Sequence, residues 1–135
     1  MFQFIRKKAK SSEVNDDAKS KSKYKNKKVE YDGIKFDSKK ECEYYIKYLD
    51  MQNKGLIKDL KTQVKFVLLD KFTDGSGIKH REIAYYADFQ YYDNSLNRIV
   101  VTDVKASFKF KDNVYKLKKK LLLNKYKDIL FEEKY

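Results

Sequence analysis

A chain of 135 residues with a formal net charge of +12 has the length of one domain and the charge of a protein that meets polyanions. One cysteine, Cys42, and one histidine, His80, exclude an intramolecular disulfide and a cysteine-based zinc site. No stretch has the apolar length of a membrane span or the pattern of a signal peptide, so a reducing, cytoplasmic setting without membrane contact is expected.

The first 28 residues hold ten Lys or Arg against three Asp or Glu. Residues 1–27 read as a disordered basic arm, either a plain tail or a salt-dependent phosphate contact. The remaining chain, 28–135, reads as the folded domain. Lys28 to Asp37 places Asp32-Gly33 between two short alternating runs, which predicts a β-hairpin. Ser38 and Glu41 then form a capping box, opening a helix that runs to about Gln52 and ends at Gly55. Tyr45, Tyr48 and Leu49 mark its inward face, and Glu41 lies on or beside that face. Capping alone explains a Glu there; so does a site. Gly55 to Leu60 reads as a connector and Thr62 to Leu69 as a strand, with Gln63 at its start. Asp70 to His80 reads as a loop.

Arg81 to Lys105 is the most informative stretch. Ile83, Tyr85, Ala87, Phe89 and Tyr91 alternate, Asp93 to Asn97 is turn-forming, and Arg98 to Ala106 is rich in Val and Ile. If the hairpin closes through Asn94–Asn97, Asp93 faces Arg98, and counting back along both arms Asp88 faces Asp103. Lys105 falls on the same face as Asp103. Two opposed carboxylates within a Val/Ile-rich hairpin repel each other, so a cation is needed: Lys105, a divalent metal ion, or both. The competing reading is a solvated sheet face.

Residues 106–111 alternate aromatic and basic side chains, so Lys109 and Lys111 are candidates for holding a nucleic-acid backbone. Asp112 caps a second helix, Asn113 to Tyr126, whose predicted buried stripe is Val114, Leu117, Leu121 and Leu122. Lys118 sits beside that stripe. Ile129 to Phe131 is a short last strand, followed by a tail. Helix, three strands, helix and strand imply an α/β fold: a central mixed β-sheet flanked by helices, with an αβββαβ core preceded by a β-hairpin.

Glu41 on the first helix, Asp88 in ADF, and Asp103 and Lys105 in DVK together resemble the PD-(D/E)XK nuclease superfamily over residues 28–132. FDSKKECEYY, DLKTQVKF, REIAYYADFQYYD and YKLKKKLL look like a phage-associated, DUF1064-like family of small uncharacterised proteins placed there. Ala87 stands where the superfamily has Pro, and Asp103 where it commonly has Glu. The resemblance implies a metal-dependent endodeoxyribonuclease, a phosphodiester hydrolase using Mg²⁺ or Mn²⁺. Asp88, Asp103, the Val104 carbonyl and Glu41 would be metal ligands, and Lys105 the residue beside the attacked phosphate. Gln63, Lys109, Lys111 and Lys118 are further candidates for DNA contact. Small phage-type relatives point to branched recombination intermediates such as the Holliday junction, to a homodimer, and to the host cytoplasm. A non-catalytic DNA-binding module on the same fold, acting in phage replication or recombination, is the alternative; an RNA-binding protein is a third.

Overall fold

The computed structural model describes residues 27–106 and 112–135. Lys109, Lys111 and residues 1–26 of the arm lie outside the described residues. The chain divides into two compact units after Lys39.

In the first unit β1 (Val29–Tyr31) pairs antiparallel with β2 (Ile34–Phe36), Tyr31 opposite Ile34. Asp32 and Gly33 both take left-handed backbone, φ 58° and 78°, as a two-residue hairpin turn of this twist demands.

The second unit opens with α1 (Lys39–Asn53), which begins where the capping box sets it and buries Glu41, Cys42, Tyr45 and Tyr48. Gly55, at φ 78°, closes the helix while the Leu56 amide donates to the Met51 carbonyl at 2.9 Å. Here the expected connector is absent. β3 (Ile57–Leu69) starts at once, because Ile57 and Lys58 already pair with Asp93 and Tyr92. An irregularity between Lys58 and Lys61, with Asp59 at φ 57°, resets the register before Thr62. The segment predicted as a loop holds a small finger, β4 (Phe72–Thr73) paired with β5 (Lys79–His80).

β6 (Ile83–Asp93) and β7 (Arg98–Val104) form the predicted hairpin. Asp93 pairs with Arg98, and the ladder runs in the expected register to Phe89 opposite Thr102. The sheet order is β3-β6-β7-β8, with β8 (Leu130–Lys134) parallel to β7 and the other neighbours antiparallel. A mixed sheet with two helices was the expected architecture. The last strand is longer than predicted, taking in Glu132, Glu133 and Lys134 from the presumed tail.

α2 (Asn113–Lys125) starts at its Asp112 cap, whose carboxylate accepts the Tyr115 amide at 2.7 Å. Its buried face differs from the predicted stripe. Val114 and Leu117 are exposed, whereas Leu122 is fully buried and Tyr115 and Lys119 are half-buried. Tyr115, Lys119, Leu122 and Tyr126 fall at i, i+4, i+7 and i+11, so aromatic rings and a lysine stem cover the sheet where branched aliphatics were expected.

Candidate active site

On a regular strand Tyr85, Ala87, Phe89 and Tyr91 share one face. In β6 they do not. Tyr85 and Ala87 cluster with Phe66, Val101 and the α2 residue Leu122. Phe89 and Tyr91 instead meet Tyr48 of α1, with ring centroids 5.2 and 5.0 Å apart. The strand changes faces at Asp88. Its partner β3 does the same at Gln63: the ladder passes from Thr62 opposite Phe89 to Val64 opposite Ala87, and Gln63 has φ 51°. A left-handed Gln within a strand costs about 1 kcal/mol and marks a local departure from the pleat.

That departure frees Asp88 from the flat face of the sheet. Its Oδ2 accepts the Val104 amide at 2.7 Å, so a carboxylate replaces the ladder at the end of the hairpin. Glu41, 5% exposed, reaches it from α1 and shares a hydrogen bond with it. Such a bond needs one protonated carboxyl, and Asp88 is the one whose pKa is raised. Burial, then the Glu41 hydrogen bond, push Asp88 up to about 9, against the opposing pull of the Val104 amide. The charges of Glu41 and Asp103 add to the rise.

Asp103 is 7% exposed, and its Oδ2 lies 2.7 Å from Lys105 Nζ. The two are close but poorly aligned, leaving that oxygen without a well-formed hydrogen bond among the described residues. Tyr85 lies beside it. Burial first, then the Asp103 charge, hold the Tyr85 phenol far above its ordinary value. Lys105 also lies over the Tyr115 ring, 3.5 Å from its centroid. Its backbone amide donates to the Lys134 carbonyl at 2.7 Å, which continues the β7–β8 pairing past Val104.

The parallel pairing of β7 and β8 sets Glu133 opposite Asp103. Directly opposed like charges again need compensation. The Tyr115 hydroxyl donates to Glu133 Oε2 at 2.6 Å, and Lys119 Nζ stands 3.2 Å from the same oxygen. Burial, followed by the Glu133 hydrogen bond, raises the Tyr115 phenol well above its ordinary value.

Of the residues singled out from sequence, Glu41 and Asp88 meet, and Asp103 and Lys105 meet beside them. Val104 enters through its amide. Gln63 is exposed and stands across from Asp88 in the neighbouring strand, and Lys118 is half-buried on α2. Tyr115, Lys119, Tyr85 and Glu133 were missed. A stripe phased on Val114, Leu117, Leu121 and Leu122 leaves Tyr115 and Lys119 out. Glu133 depends on a parallel register that no local pattern in the sequence reveals.

Among the described residues no three His, Cys, Asp or Glu side chains form a ready metal cage. The donors present are all carboxylate oxygens, and one of them lacks a well-formed partner. That suits Mg²⁺, which binds through one or two carboxylates and keeps several waters, better than an ion that needs a closed protein shell. No described helix is long and apolar enough to cross a membrane.

A family model described as a protein of unknown function (DUF1064) matches residues 21–133. No curated protein and no solved structure matches the chain.

Proposed function

We propose that this chain, which belongs to the DUF1064 family of proteins of unknown function, is a metal-dependent endodeoxyribonuclease of the PD-(D/E)XK type. One observation carries the reading: Asp88, half-buried against Glu41 and beside Asp103, has its pKa raised in a protein whose net charge is +12. A carboxyl cluster this poorly compensated has no obvious structural use, and perturbed acids gather where chemistry is done. The basic surroundings give a phosphate reason to approach.

When bound, Mg²⁺ or Mn²⁺ would polarise the phosphoryl group and supply an activated water. Asp88 and Asp103 are the residues to hold it, with Glu41 placed to hold a second ion or a metal-bound water. Asp88 would hold the ion as a carboxylate, so its raised pKa sets a proton on Asp88 in competition with the ion. The Val104 amide keeps Asp88 oriented throughout. Lys105, 2.7 Å from Asp103, is placed to stabilise the extra negative charge on the attacked phosphate. Gln63 and Lys118 are candidates for backbone contacts. Action on a four-way junction would call for a homodimer, since a junction presents two equivalent strands.

A second reading, a non-catalytic DNA-binding module on this fold, draws on the lack of a three-carboxylate cage among the described residues. One panel separates the two: linear duplex, flap, four-way junction and RNA, each with and without Mg²⁺ or Mn²⁺. The nuclease reading expects metal-dependent DNA cuts that Asp103→Asn and Lys105→Ala remove while DNA binding persists. Binding without any cleavage by the wild type supports the module instead.

A further inference from the structure

Lys105 carries the charge on which the proposed reaction depends, and a lysine is a poor device for precise aim. Its four-carbon stem has many rotamers, and an ion pair with a carboxylate fixes distance better than direction. Among the described residues Lys105 Nζ stands against two groups: Asp103 Oδ2 at 2.7 Å and the face of the Tyr115 ring at 3.5 Å. A cation arriving at Asp103 competes for the first group. It has no claim on the second.

We propose that Tyr115 is a positioning residue, a ring clamp that holds the Lys105 ammonium and aims it at the acidic cluster. The inference rests on Lys105 having the role given above. An ammonium is drawn to an aromatic face within about 6 Å of the centroid, and the attraction grows when water is excluded. Only 16% of the Lys105 side chain is exposed.

The ring has anchors of its own besides Lys105. Its residue's amide donates to the Asp112 cap at 2.7 Å, which sets it in the first turn of α2. Its hydroxyl donates to Glu133 Oε2 at 2.6 Å, and Lys119 Nζ lies 3.2 Å from the same oxygen. Glu133 lies opposite Asp103 in the β7–β8 register. The clamp is therefore referenced to the same strand pair that carries Asp103. Tyr85 flanks it, with ring centroids 6.4 Å apart. This gives α2 and β8 a task at the site, and it explains why an aromatic residue occupies the inward face while Val114 and Leu117 are left exposed.

Tyr115 could instead serve only to pack α2 on the sheet. Three substitutions separate the roles. Tyr115→Phe keeps the ring and loses the hydroxyl; Tyr115→Leu and Tyr115→Met keep apolar bulk and lose the ring. NMR of the Lys105 side-chain methylenes, done without DNA or metal, reads the clamp directly, since protons over a ring are shifted upfield. The expected result is an upfield shift in the wild type and in Tyr115→Phe that vanishes in Tyr115→Leu or Tyr115→Met. With DNA and Mg²⁺, kcat should fall about 10- to 100-fold in the ringless variants with KM nearly unchanged, and Tyr115→Phe should recover most of it. The clamp is overturned by unshifted methylenes in the wild type, by equal losses in Tyr115→Phe and the ringless variants, or by a change in KM alone. A wild type that cuts nothing yet shows the ring-dependent shift overturns the nuclease reading and leaves the clamp supported.

Discussion

The two ends of the β6–β7 hairpin carry aspartates in opposite conditions. At the tip, Asp93 Oδ1 accepts the Ser95 hydroxyl at 2.8 Å and the Ser95 and Leu96 amides at 2.9 and 3.0 Å. Those bonds, led by the Ser95 hydroxyl, hold its pKa below the ordinary value. The finger repeats the device: Asp74 accepts from His80, Ile78 and Ser76, and is held far below the ordinary range. At the base, Asp88 has one amide and two carboxylate neighbours, and its pKa is pushed up. The same residue type in the same hairpin is thus spent on folding at one end and held under electrostatic strain at the other. Strain of that kind is a reason to look for a ligand rather than for a turn.

The largest expected effect is on chemistry. Asp88→Asn, Asp103→Asn or Lys105→Ala should lower metal-dependent DNA cleavage by at least ~10²–10³-fold, the scale of losing a transition-state contact. Asp93→Asn should leave the rate within about twofold. Equal losses at both ends would erase the distinction.

Stability in chelator should move the other way. Removing the acid at the base is expected to help: Asp88→Asn should raise metal-free stability at pH 8 by ~1–2 kcal/mol, since Asn still accepts the Val104 amide and folding no longer has to take up a proton there. Asp93→Ala should cost about 1 kcal/mol through its lost turn bonds. Urea midpoints of the variants settle the signs.

The pH profiles of that stability should also oppose each other. A raised pKa means that Asp88 favours the fold most below its unfolded value near 4, and that this contribution is lost as pH rises toward about 9. A lowered pKa means that Asp93 favours the fold above that unfolded value and that its share is lost as pH falls below it. Asp88→Asn should flatten the alkaline limb alone, as read from melts between pH 3 and pH 10 in chelator.

The hairpin was legible because its alternation, its turn and its register are all local: Asp93 opposite Arg98 fixes everything down to Phe89 opposite Thr102. The inward face of α1 followed from the spacing of Glu41, Tyr45 and Tyr48 in the same way. What escaped was non-local or irregular. The switch of faces at Asp88 and Gln63 breaks the period on which strand reading relies. Asp59, left-handed without a glycine to announce it, hid the start of β3. Glu133 and Tyr115 became site residues only when β8 settled parallel beside β7.

The smallest effect is expected at Gln63. Gln63→Gly should stabilise the chain by up to ~1 kcal/mol by relieving its backbone, and it should weaken DNA binding only if the side chain touches phosphate. Thermal melts and DNA titrations read the two effects separately.

The most direct test of the central claim is calorimetric titration of the wild type with Mg²⁺ or Mn²⁺ near pH 7, in buffers of differing ionisation enthalpy. If Asp88 holds a proton where a cation belongs, binding should release about one proton per site. Asp93→Asn should do the same, and Asp88→Asn should bind far more weakly and release none. Binding with no proton released, or no binding at all, would contradict the account.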